Sequence, residues 1–148
     1  IGVRLVGSEM CIRDRRSAAL NPGKLRRAEQ GIGVHTAHGR HEPAAMTAEG
    51  LDALIQEQLL LDDALRSAAH LFVEVARAQP FEDGNKRTAI FAANSYLIGQ
   101  ETGLLMAVPH DDADPTVSRE FHDQLARAYV FGETGPVVEA LVLHNSLQ

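Results

Sequence analysis

Cysteine is nearly absent from this sequence: Cys11 stands alone, and there is no tryptophan. One cysteine excludes an internal disulfide framework and a multi-cysteine zinc site. Long apolar runs are missing too, so no segment is expected to span a bilayer. Residues 1–30 lack the apolar stretch of a secretion signal, which leaves a cytoplasmic location as the default expectation. No internal repeat is visible. What is present is a globular composition. The chain has 148 residues, 45% of them hydrophobic and 23% charged, which suits one domain with a single core and argues against wholesale disorder.

The formal net charge of −6 hides an asymmetry. Residues 1–30 hold seven Lys/Arg against three Asp/Glu, whereas residues 31–148 hold seven against seventeen. An acidic body repels nucleic acid, whose phosphates need clustered cations, and it also disfavours anionic membranes. Neither partner is expected. Within that acidic body Lys86 and Arg87 are adjacent, which points to a local anion site rather than a broad basic face.

The chain does not begin with methionine, and residues 4–15 read Arg-Leu-Val-Gly-Ser-Glu-Met-Cys-Ile-Arg-Asp-Arg. This string resembles the in-frame translation of a transposase adapter used to prepare DNA sequencing libraries. Residues 1–15 are therefore read as foreign to the natural protein. Residues 16–148 are read as one domain, with an N-terminal truncation expected.

Periodicity along the rest of the chain is mostly helical. Asn21-Pro22-Gly23 signals a turn, and a short helix is expected around Leu25–Gln30. Glycines and Pro43 break residues 31–45, where Val34–Thr36, a turn at Gly39 and a second extended stub would make a small hairpin. Thr47 is a plausible N-cap for a helix carrying Leu51, Leu54, Ile55 and Leu59. Asp62-Asp63 opens the next, with Leu65, Ala68, Ala69, Phe72 and Ala76 on one stripe. Pro80 ends that stripe at Gln79. A helix over about Lys86–Ile98 follows, and its small residues Ala89, Ala92 and Ala93 suggest a central position. Asp111–Pro115 reads as a loop, Val117 to Ala128 as a helix ended by Gly132, and Gly135-Pro136 as the opening of a last helix with proline at its first position. The expectation is an all-α fold of six or so helices with a small β-hairpin.

The chemistry concentrates in Gln79-Pro80-Phe81-Glu82-Asp83-Gly84-Asn85-Lys86-Arg87. A short loop ending in Gly84-Asn85 feeds the start of a helix, where unpaired N–H groups and the helix dipole favour an anion. A preceding glycine lets several N–H groups point one way. Lys86 and Arg87 add full charges there, and Asp83 is a hard oxygen ligand suited to Mg²⁺ bridging phosphates. Phe81 is expected to anchor the loop in the core. Together these parts describe a site for a magnesium-bound di- or triphosphate. They equally describe an ordinary capped helix, with Asn85 as N-cap and Lys86-Arg87 facing solvent, and the residues alone leave both readings open. Walker-type and dinucleotide-type glycine loops are absent, and Asp111-Asp112-Ala113-Asp114 lacks the glycine and terminal glutamate of an EF-hand.

The stretch resembles the signature of the Fic/Doc (Fido) family, His-x-Phe-x-Asp/Glu-Gly-Asn-Gly/Lys-Arg. The matches are Phe81, Asp83, Gly84, Asn85, Lys86 and Arg87. The resemblance implies a helical Fic/Doc bundle with a β-hairpin flap. It also implies transfer of AMP, or in Doc-type members phosphate, from ATP to a hydroxyl of a target protein. Doc-type members act as toxins paired with an antitoxin, so an antitoxin is a candidate partner. By the same resemblance Asp83 would hold Mg²⁺, Gly84, Asn85 and Lys86 would bind phosphate oxygens, Arg87 would pair with a phosphate, and flap residues His35–Pro43 would dock the target as an added strand.

Two departures bear on activity. Ile90 stands where AMP-transferring members usually carry a second arginine, and Lys86 fills the Gly/Lys position, so the pattern leans towards Doc. Gln79 replaces the histidine that takes the proton from the attacking hydroxyl. A glutamine can orient a hydroxyl but cannot accept its proton, and losing a general base typically costs ~10²–10⁴ in rate. A catalytically impaired nucleotide- or partner-binding pseudoenzyme is the alternative. His70 falls on the opposite helix face from Gln79, while His35, His38 and His41 sit in the flap, where one could border the cleft. The family's Ser/Thr-x-x-x-Glu-Gly/Asn inhibitory motif is not found.

Overall fold

The computed structural model describes residues 21–147; residues 1–15, including Cys11, lie outside them. The elements run β1 (Val34–Thr36), β2 (Gly39–His41), α1 (Ala48–Gln58), α2 (Ala64–Ala78), α3 (Asn85–Gly99), α4 (Pro115–Phe131) and α5 (Thr134–Ser146). This is an all-α fold with one small antiparallel hairpin. The described residues form five helices rather than six, because residues 25–27 are irregular and 28–30 form a turn. The Arg26 amide that a helix would use internally donates instead to the Pro80 carbonyl at 2.9 Å.

Helix starts follow local chemistry. Thr47 caps α1 by accepting from the Gly50 amide, and Asp63 caps α2 by accepting from the Arg66 amide. Asp114 caps α4, which places Pro115 at the first helical position rather than in the preceding loop. The last helix starts at Thr134, so Pro136 falls within its first turn rather than at its first position. Proline is tolerated there because that turn has no carbonyl for its missing N–H to meet.

The central helix is α2, not α3. It buries Leu65, Ser67, Ala68, Ala69, Leu71, Phe72, Val73, Val75 and Ala76, and it packs against α1, α3, α4 and α5. Its apolar arc is wide enough to meet neighbours on several sides. The α3 helix buries one narrow row, Asn85, Ala89, Ala93 and Leu97, against α2, and leaves Phe91 and Ile98 exposed. The alanines that suggested centrality bring α3 close to α2 along that single seam. After α3 the chain runs without helix or strand through residues 104–110. Asn94 brackets Met106 with two hydrogen bonds, and Asn145 does the same for Ala107, which keeps Met106 buried between α3 and α5.

The hairpin pairs Val34 with His41, His35 with Arg40 and Thr36 with Gly39. Its turn is Ala37-His38, one step before the expected Gly39, which instead opens β2. Strand β2 rests on α4. There the His38 ring meets the Asp123 carboxylate at 2.6 Å, and His41 stacks on Tyr129 with centroids 5.2 Å apart. Among the described residues no helix is long and apolar enough to cross a membrane.

Candidate functional site

The α2–α3 junction is shaped by two residues with positive φ. Gln79 ends α2 in the left-handed region at φ 48°, a costly conformation for a residue that has a Cβ and precedes proline. Gly84 precedes α3 at φ 75° and supplies no side-chain cap. A Cβ on Gly84 would sit 3.4 Å from the Arg87 guanidinium, which lies across it. The first amide of α3 to find a helical acceptor is that of Thr88, bonded to the Gly84 carbonyl at 2.9 Å. The amides of Asn85, Lys86 and Arg87 precede it and form the open helix end.

Asn85 is not a cap. Its side chain is 5% exposed and turned back into the loop. Its Oδ1 accepts from the Phe81 amide at 2.8 Å, while its Nδ2 donates to the Phe81 carbonyl at 2.8 Å and to Gln79 Oε1 at 2.9 Å. Any phosphate contact from Asn85 is therefore left to its backbone. Phe81 is half-buried and outside the core cluster; the adjacent Pro80 is fully buried and provides the anchor expected of Phe81. Asp83 and Arg87 are half exposed and form an ion pair at 3.6 Å, and Lys86 is exposed beside them.

Gln79 is 6% exposed, and both ends of its amide are engaged. Nε2 donates to the Ala76 carbonyl at 2.6 Å, and Oε1 accepts from Asn85. The side chain closes the end of α2 and joins it to the start of α3.

These residues border a cleft of about 550 Å³. One wall is residues 32–35 of the flap; the other is Gln79 and residues 82–87, with Tyr129 of α4 also lining the space. The sequence thus brings Gln79, Asp83, Gly84, Asn85, Lys86 and Arg87 to one cavity, with Phe81 beside it and outside its lining. Of the three flap histidines, His35 reaches the cleft. His38 is held by Asp123, and His41 donates to the Arg77 carbonyl at 2.6 Å. Arg40 lies over Gly33, where a Cβ would stand 2.3 Å from Arg40 Nε, so a side chain there would push the half-exposed Arg40 guanidinium aside.

Two residues the sequence reading passed over shape the site. Arg26, 3% exposed, donates to the carbonyls of Gln79 (2.7 Å), Pro43 (2.9 Å), Ala44 (3.2 Å) and Gln30 (3.4 Å). One guanidinium therefore ties both legs of the hairpin to the end of α2. Burial lowers its pKa from the ordinary value, and carbonyl dipoles take the place of a carboxylate partner among the described residues. An arginine beside a Pro-Gly turn gives no sequence signal of such reach. The second is Tyr129, 5% exposed, whose hydroxyl is sealed from solvent beside the Gln79 side chain. Burial pushes that phenol up to about 12, only partly opposed by the nearby Gln79 side chain. It continues the Phe121–Leu125–Ala128 stripe and reads as core until the cleft is seen.

The site fits a magnesium-bound phosphate chain on its own chemistry. It has an open helix end, two cations and one half-exposed carboxylate. The described residues contain no cluster of three or more metal-ligating side chains. The model of the Fic/DOC family matches residues 8–97, more than half the chain and the whole of this junction and flap. No curated protein and no solved structure matches the chain. The chain belongs to the Fic/DOC family.

Proposed function

We propose that this member of the Fic/DOC family binds Mg·ATP in the cleft and transfers AMP or phosphate to a hydroxyl of a target protein. The observation that carries the reading is the uncapped start of α3 with Lys86 and Arg87 on its first turn, facing the flap across one cavity. The amides of Asn85, Lys86 and Arg87 would hold phosphate oxygens, and the Arg87 fork would pair with one of them on leaving Asp83. Asp83 would hold magnesium, which neutralises phosphate charge when bound. Strand β2 is occupied by α4, so β1 is the strand that would receive a target segment. Ile90, at the position of the usual second arginine, packs against the core and cannot reach phosphate, which favours the Doc-type phosphate transfer. A cytoplasmic toxin with an antitoxin partner fits that lineage.

A second reading is supported by Gln79 itself. Its amide is buried and engaged at both ends, so it accepts no proton and has little freedom to orient a hydroxyl. Such a protein would bind nucleotide and partner while transferring slowly or not at all. Incubating the chain and Gln79→His with cell lysate and ATP labelled at the α- or γ-phosphate separates the readings. Label moved by the unaltered chain supports the enzyme and names the group. Label moved only by Gln79→His, at least ~100-fold faster, supports the impaired form. No label from either, with no binding of Mg·ATP, contradicts both.

A further inference from the structure

We propose that Arg26 is a positioning residue of the site: it fixes the flap across from the start of α3 and so decides how the target segment docks. The inference rests on the transfer reading and adds to it a residue 53 positions before Gln79. Each nitrogen of the guanidinium serves a different part of the fold. Nε donates to the Gln79 carbonyl at the end of α2, Nη1 to Gln30 on the leg entering the hairpin, and Nη2 to Pro43 and Ala44 on the leg leaving it. The Arg26 amide adds a bond to the Pro80 carbonyl, and the Gln30 side chain donates to Glu82 at 2.5 Å. The anchor is firm, since Pro80 is fully buried and the Gln79 side chain closes the end of α2. The flap is not firm by itself. It is a hairpin of two three-residue strands, and an isolated two-stranded hairpin is marginal in water. Its β2 side is held by α4 and by His41 on the Arg77 carbonyl, which leaves β1, the strand bordering the cleft, to be placed through the legs. A guanidinium suits that task because its planar fork holds several acceptors at once in fixed directions. The open end of α3 is held separately, by the Asn85 side chain on Phe81. Arg26 should therefore govern target docking and not nucleotide binding.

Arg26→Lys keeps the charge but replaces the fork by a single nitrogen, which cannot hold Gln79 and both legs together. The test is made in the Gln79→His chain, with labelled ATP and a range of lysate concentrations. By calorimetry, the affinity and stoichiometry for Mg·ATP should equal those of Gln79→His alone. Labelling should fall roughly 10–100-fold in dilute lysate, the range for hydrogen bonds to a charged group, and the deficit should narrow as the lysate is concentrated. Gln30→Ala, which loosens one leg and leaves the buried guanidinium in place, should show the same pattern more weakly. A deficit of equal size at every lysate concentration would mean that Arg26 only supports the fold, and would overturn the proposal. Weaker Mg·ATP binding would place its effect at the phosphate site, and unchanged labelling would leave it no effect; either overturns the proposal and keeps the transfer reading intact. If Arg26→Lys does not fold, Gln30→Ala decides by the same criteria. No labelling by Gln79→His itself would defeat the transfer reading first and this inference with it.

Discussion

The helices α2 and α3 are the same length and lie side by side, yet their N-termini are built in opposite ways. At α2, Asp63 accepts from the Arg66 amide at 3.0 Å, so the helix end is satisfied by its own sequence and faced by a negative charge. At α3, Gly84 offers no side chain, and the first turn carries Lys86 and Arg87 with no acidic residue. A cap stabilises a helix; an open end with cations around it leaves the helix dipole to act on something else. The difference teaches where local stability was given up. It coincides with the left-handed Gln79 and the buried Asn85 network, which hold the open end rigid in place of a cap.

Making α3 start like α2 should have the largest effect. Gly84→Asp places a carboxylate before the Asn85–Arg87 amides and meets strain at φ 75°. Mg·ATP affinity should fall by ~100-fold or more, since the new charge both fills and repels the phosphate site. Circular dichroism should still report a folded helical protein, which separates loss of the site from loss of the fold.

The converse change should be smaller and confined to stability. Asp63→Ala removes the α2 cap and should cost about 1 kcal/mol by denaturant unfolding, within the usual 0.5–2 kcal/mol for such caps. Mg·ATP affinity should not change. A shared loss of both would show that the two helix ends are not independent.

The smallest expected effect is on pH dependence at a third helix start. The Thr116 hydroxyl and then the Thr116 amide hold the Asp114 carboxyl below its usual range. The folded state therefore binds fewer protons there than the unfolded state. The stability it adds is present above the usual carboxylate range and is lost as pH falls through the lowered value. Asp114→Asn should flatten the acid limb of a stability–pH curve slightly, by lowering stability a little in the neutral region and leaving the strongly acid region unchanged.

The sequence made much of this legible where one residue decides a local outcome. Thr47 and Asp63 marked helix starts, Pro80 marked the end of α2, and the Gly84 to Arg87 run marked the loop and helix start that border the cleft. Reading failed where partners are distant. Leu25–Gln30 has helical residues, but its amide and guanidinium bonds go to Pro80, Gln79, Pro43 and Ala44. Alanines on α3 suggested a centre, whereas the wide apolar arc of α2 takes it. Phe81 looked like an anchor because it is large and apolar in a polar loop, yet the fold buries Pro80 more completely. Tyr129 gave no signal as a cleft-lining residue because α4 returns beside the flap more than forty positions after the signature.

Amide chemical shifts recorded during a titration with Mg·ATP test the contrast between the two helix ends most directly. The account predicts large shifts at Asn85, Lys86 and Arg87, and none at Leu65 and Arg66 in the capped first turn of α2. Unmoved amides at the start of α3, or equal movement at both helix starts, would contradict it.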